Sequence, residues 1–230
     1  VLLAIDTATG SVGAALHDGE AVRAEVVRHD VRRHGELLAP AVGEALEEAG
    51  LRMSEVTSVV CGVGPGPFTG LRVGVVTALV LALGRGLPAP QGVCSLDALA
   101  HAAHLGAAGA PGIPGPGLLV ATDARRREVY WARYEMTPSG ARRVAGPAVG
   151  PASGLPEDVR VLPTVGRGGL LYPQALTGQL DGGPLDVSPG VLADLAVRLR
   201  DGTHPDSATG LLPPEPLYLR RPDAVETRAR

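Results

Sequence analysis

An α/β chain in two lobes is expected from three observations. Short apolar runs that end in polar turns alternate with longer segments whose apolar residues recur at helical spacing. Three strand-like runs precede the first helix, giving the order strand, strand, strand, helix, strand, helix, which departs from the strict alternation of a doubly wound nucleotide fold. A Gly/Ala/Pro run at residues 106–117 then reads as a linker between a first lobe, residues 1–105, and a second, residues 118–230.

Each element has a local reason. Residues 1–5 form a continuous apolar run opening into Asp6-Thr7-Ala8-Thr9-Gly10, the pattern of a buried central strand and its turn. Residues 11–17 and 20–28 flank Asp18-Gly19, a hairpin signal. Between Gly35 and Ala49, Leu37, Leu38, Ala41, Val42, Ala45, Leu46 and Ala49 share a helical face opposite Glu44, Glu47 and Glu48. Gly50 ends that helix, and Pro40 predicts a late start or a kink. Residues 57–63 are strand-like, Gly64-Pro-Gly-Pro67 is a rigid turn, and Thr69 is a natural N-cap for the next helix. Ser95 would cap a third helix reaching about Leu105. In the second lobe, strands at 118–122 and 128–136 flank the turn from Asp123 to Arg127. Residues 137–188 are too rich in Pro and Gly for elements to be placed, 191–199 has helical spacing, and the chain after Pro213 reads as extended.

The run from Leu71 to Leu83 is apolar nearly all the way round, whereas a helix needs only one oily face to sit on its own core. Gly70, Gly74, Ala78 and Ala82 recur every fourth residue as a flat groove, and Leu71, Val75 and Leu79 make an adjacent ridge. Glycine inside a helix costs roughly 0.5–1 kcal/mol against alanine, which close packing can offset. The run is shorter than the about twenty residues of a bilayer span. Its surplus face must therefore be covered by its own domain or by another protein, and the second is the expectation.

At 230 residues the chain can bury one substantial core or two small ones. With 21 basic against 24 acidic residues, the net charge of −3 provides no broad footprint for nucleic acid, so any such contact must be local or borrowed from a partner. Every basic residue is arginine, a base-composition signature to which no function is assigned. Cys61 and Cys94 have neither metal-ligand nor redox spacing, and no signal, transit or membrane segment is read. A cytoplasmic, disulfide-free protein is expected, without membrane association.

Several residue groups are candidates for chemistry. Asp6 with Thr7 and Thr9 can face a phosphate or hydrated magnesium, the alternative being an Asx turn. The stretch from Gly64 to Arg72 matches neither the P-loop nor the dinucleotide fingerprint. Its prolines remove two donors from an anion-attracting helix start, so it reads as a helix-launching turn with Phe68 as an apolar plug. His29 and His34 are five apart and His101 and His104 three apart, read as surface histidines rather than a metal site. No Ser, His and Asp arrangement stands out, and no catalytic residue is assigned. Arg125-Arg126-Arg127, followed by Tyr130 and Trp131, mixes charge and rings as single-stranded RNA sites do, the alternative being a solvated turn whose rings join the core.

Taken together, residues 4–9, the segment from His34 to Pro40, the stretch from Gly64 to Arg72 and residues 94–100 resemble the TsaB (YeaZ) family, over the first hundred residues in order. Residues 123–130 and the tail Leu217-Tyr-Leu-Arg220 add weaker likeness. The resemblance implies an actin-like, sugar-kinase-like (ASKHA) fold whose second lobe is smaller and degenerate. It implies a non-catalytic scaffold that pairs through its first two helices with the catalytic subunit TsaD. In that complex, which the ATPase TsaE joins, TsaD transfers a threonylcarbamoyl group to the adenosine next to the anticodon in tRNAs reading codons that begin with A. It further implies a homodimer when TsaD is absent, tRNA met indirectly through the complex with direct contact by Arg125, Arg126 and Arg127 left open, and no cofactor of the chain's own, the shared interface being the candidate place for ATP or ADP with Mg. His34, Leu37, Leu38, Ala41, Phe68, Leu71, Gly74, Val75 and Ala78 are the expected interface residues. Two departures stand out. Neither histidine pair has the H-x-x-x-H spacing of the catalytic relative, and Pro67 stands where the family usually has serine. The rival readings are an ATP-dependent kinase or ATPase using Asp6, and a metallopeptidase.

Overall fold

A computed structural model describes residues 1–30, 33–106 and 115–220. Most of the expected linker therefore lies outside the described residues. The first sheet is built from β1 (Leu2–Asp6), β2 (Ser11–His17), β3 (Val22–His29), β4 (Ser58–Gly62), β5 (Gln91–Val93) and β10 (Leu211–Leu212), in the order β10-β5-β4-β1-β2-β3. The second contains β6 (Gly117–Asp123), β7 (Glu128–Thr137), β8 (Gly140–Pro151) and β9 (Thr164–Val165), in the order β8-β7-β6-β9. The helices are α1 (His34–Glu48), α2 (Phe68–Arg85), α3 (Ser95–His104), the short α4 (Glu157–Arg160) and α5 (Gly168–Leu171), and α6 (Pro189–Arg200).

Strand alternation sorts the core. On β1, Leu3 and Ile5 join the cluster containing Leu38, Ala41, Val75 and Ala78 of α1 and α2. Leu2 and Ala4 face the other way, into a cluster shared with α3, α6 and Leu118, Val120, Ala132 and Tyr134 of the second sheet. Strand β1 is covered on both faces, which is why it is apolar throughout. Helices α3 and α6 thus fill the space between the two sheets, and the chain segment after residue 188 returns to the first lobe. Asp194 of α6 accepts hydrogen bonds from His101 Nε2 of α3 and from Arg198 Nε, each at 2.7 Å. Burial alone would raise its carboxyl, but these two partners outweigh that and hold it at about 2.

Several local expectations are corrected. Helix α1 starts at His34 and runs through Pro40 without a late start, because Leu38, Ala41, Val42 and Ala45 anchor it to the sheet. Pro67, not Thr69, is the N-cap of α2, and no side chain caps it. Ser95 is the first residue of α3 rather than its cap, and its Oγ is used elsewhere. His101 is 1% exposed rather than on the surface, since Asp194 gives it a buried acceptor. The stretch without a readable pattern holds β8, whose irregular register against β7 explains the missing alternation.

Candidate docking face and interlobe cleft

Helix α2 turns one apolar side inward and another outward. Gly70, Leu71, Gly74, Val75, Ala78 and Ala82 are buried. A Cβ on Gly70 would lie 2.6 Å from the Thr7 carbonyl oxygen, and one on Gly74 2.4 Å from Thr7 Oγ1, so the small-residue row lets the helix lie directly on the turn after β1. Phe68, Val76, Leu79, Val80 and Leu83 are exposed, Leu83 to 83% and Val80 to 61%. Among the described residues α2 is the one helix long and apolar enough to cross a membrane by length and composition, and a third of it is buried inside the fold.

This corrects the expected interface residues. Leu38, Ala41, Leu71, Gly74, Val75 and Ala78 are buried in the chain's own core and so do not face outward in this fold, while Leu37 is half-buried against that core. Of the expected set only Phe68 lies on the exposed stripe. The outward residues Val76, Val80 and Leu83 have helical spacing of their own, but in a helix apolar on every side that spacing carries no sign of which stripe the sheet will take.

Beside the first turns of α1 and α2, the two lobes enclose a cleft of about 710 Å³. It is lined by Thr9 and Gly10 from the β1–β2 turn, His34, Thr69 and Gly70 from the helix starts, and Asp123, Arg125, Arg167 and Asp186 from the second lobe. The charges are largely matched. Arg167 Nε donates to Asp186 Oδ1 at 2.9 Å, and that bond raises the guanidinium's pKa. Arg125 Nη1 lies 3.5 Å from Asp123 Oδ2, and His29 Nδ1 lies 3.7 Å from Asp186 Oδ2. His34 Nε2 reaches toward the Thr9 carbonyl at 3.4 Å.

The cleft brings Thr9, His34 and Arg125 together but leaves out Asp6 and Thr7. Asp6 is 1% exposed: Oδ1 accepts from Ala8 N–H at 2.9 Å and Oδ2 from Ser95 Oγ at 2.7 Å. Burial pushes its carboxyl up to about 6. Thr7 Oγ1 donates to the Gly70 carbonyl at 2.7 Å. Asp6 thus takes the Asx-turn alternative and Thr7 a structural one, because each already has its hydrogen-bond partner inside the fold. Arg125, Arg126 and Arg127 are exposed at the end of the hairpin between β6 and β7, while Tyr130 is buried. Nothing in the residue pattern marks Arg167 and Asp186, which lie in the Pro/Gly-rich stretch and meet only through the fold.

Comparison with known proteins decides the family. The family model described as TsaD, tRNA N6-adenosine threonylcarbamoyltransferase, matches residues 22–155, more than half of the chain. The tRNA threonylcarbamoyladenosine biosynthesis protein TsaB of Escherichia coli is 37% identical over 60% of this chain and 57% of its own length. The structure of YeaZ from Pseudomonas aeruginosa is 28% identical and superposes with a TM-score of 0.71, covering 95% of this chain and 99% of that one. The chain belongs to the TsaB/YeaZ family. An uncharacterised protein of Mycobacterium leprae is also 41% identical over 97% of this chain, which spans 56% of that relative's length. Membership in the TsaB/YeaZ family puts the chain among proteins named for tRNA threonylcarbamoyladenosine biosynthesis.

Proposed function

We propose that this chain takes part in tRNA threonylcarbamoyladenosine biosynthesis as a non-catalytic subunit that docks on TsaD, with TsaE joining the assembly. The exposed stripe of α2, Val76, Leu79, Val80 and Leu83, carries the reading. A contiguous apolar face of this kind on a water-exposed helix marks an interaction site, and a facing helix is the partner its geometry suits. In the absence of TsaD a second copy takes the same face. The sequestered Asp6 supports a binding role over the kinase reading, since the carboxylate that would face magnesium is held by Ser95 and Ala8.

Size exclusion with light scattering tests this. The wild-type chain is expected to exchange a homodimer for a heterodimer when TsaD is added. A Val80→Glu, Leu83→Glu variant is expected to remain a folded monomer in both cases. Complex formation by that variant would remove the assignment. The cleft favours a second component, ATP or ADP with Mg held where cleft and docking face adjoin, for which calorimetry would give heat only with TsaD present.

A further inference from the structure

Three stretches singled out in the sequence for separate reasons, 64–72, 123–130 and 217–220, converge on a second pocket of about 200 Å³ at the start of α2. Its walls are Phe68, Tyr130 and Tyr218, with Arg125, Arg126 and Arg220 around it. The pocket is held from both lobes. Tyr130 Oη donates to the Gly66 carbonyl at 3.3 Å, Leu217 N–H to Val63 O at 2.8 Å, and Arg220 Nη1 to Ala124 O at 2.8 Å, while Arg220 also pairs with Glu128. The Phe68 and Tyr218 rings stack with centroids 4.8 Å apart, and the Arg72 guanidinium lies 5.0 Å over Phe68. Both rings are well exposed, at 38% and 43%.

The lip of this pocket is strained. Arg125, Arg126 and Arg127 have φ of 61°, 53° and 63°, three consecutive residues in a left-handed region that ordinary side chains avoid. The guanidiniums of Arg125, Arg126 and Arg220 line this pocket and that of Arg72 lies over Phe68, with Arg125 paired to Asp123 and Arg220 to Glu128. Exposed rings flanked by arginines are what an unpaired base between two phosphates requires. A helical protein partner finds its apolar surface farther along α2, beginning about 12 Å away at Val76 by the rise of eight residues.

We infer that this pocket binds a single-stranded nucleic acid segment, one unpaired base stacking against Tyr218 and the flanking phosphates meeting Arg125 and Arg126. Contact with the nucleic acid is then made by this chain itself. The inference goes beyond the docking reading and stands on residues other than Val76, Leu79, Val80 and Leu83, with Phe68 at the border of the two surfaces.

Fluorescence anisotropy with a labelled RNA stem-loop, its fully paired duplex and the DNA stem-loop of the same sequence tests it. The unpaired loop is expected to bind more tightly than the duplex, and tighter binding of the RNA loop than of the DNA loop identifies RNA as the ligand. Tyr218→Ala is expected to weaken loop binding about tenfold, with Tyr218→Phe retaining it. Arg126→Gly is expected to reduce the slope of log affinity against log salt by about 0.7. Val80→Glu with Leu83→Glu is expected to leave loop binding intact, which separates this inference from the docking reading. Equal binding of duplex and loop, or a Tyr218→Ala chain that folds and binds as wild type, would overturn it. So would a Tyr218→Ala chain that loses TsaD while retaining RNA, which would make the pocket a protein contact.

Discussion

Asp6 shows how much one side chain's role depends on distant neighbours. Its place at the end of an apolar strand was readable, but Ser95, which donates to it, is 89 residues away. The same hydroxyl accepts from Gly64 N–H at 3.2 Å, so one buried triad fixes the turns after β1, β4 and β5. Gly62 is required beside it, since a Cβ there would fall 1.7 Å from Asp6 Oδ2. His204 makes a testable contrast. Its imidazole is lowered to about 4, chiefly by burial and then by His101, while its Nδ1 accepts from Asp206 N–H at 3.2 Å. The folded chain therefore binds fewer protons at this site than the unfolded chain between about pH 4 and 6.5, and this contribution to stability is lost as pH falls through that window. The buried Asp6 and Asp97, both raised to about 6 by desolvation, act in the opposite sense, losing stability as pH rises from 3.8 toward 6. Denaturant melts of wild type and His204→Asn should isolate the histidine: the variant's relative stability is expected to rise as pH drops from 6.5 to 4. A gap independent of pH would contradict the assignment.

Helix α2 carries the docking reading, and the two sides of that helix respond differently to mutation. Its existence and its excess of apolar surface were plain from composition. Its orientation was not, because Leu71 and Val75 are no more apolar than Val76 and Val80. The sheet resolved the choice through size: only the Gly70, Gly74, Ala78 row lets the helix axis approach the Thr7 backbone. Gly70→Ala is thus expected to destabilise the chain by about 1–3 kcal/mol through overpacking, with no direct effect on the docking stripe. Val80→Glu should change stability by less than about 0.5 kcal/mol. Chemical denaturation of the two variants checks this, and a neutral Gly70→Ala would mean that the helix does not lie on Thr7.

The two lobes are joined by more than a linker. One cluster includes Leu2 and Val60 of the first sheet, Leu118 and Tyr134 of the second, and Leu192, Leu195 and Leu199 of α6. β10 then pairs antiparallel with β5, and the tail crosses from Val63 to Ala124. A chain cut after residue 188 is expected to be insoluble or molten, because the first sheet would lose the helix covering one face. A cooperative melt and dispersed amide resonances from residues 1–188 would show instead that the lobes are independent.

Local patterning was enough to place β1, the first hairpin, α1, α2 and the returning helix near 191–199, since strand alternation, helical spacing and turn residues act over a few positions. It also revealed that α2 has two apolar faces. Long-range packing settled which face is outward, which carboxylate is sequestered, and that residues 64–72, 123–130 and 217–220 share a pocket. Those outcomes depend on contacts between residues up to 178 positions apart, such as Val187 N–H with Thr9 Oγ1. No periodicity within one segment encodes the shape of the surface that another segment will present to it.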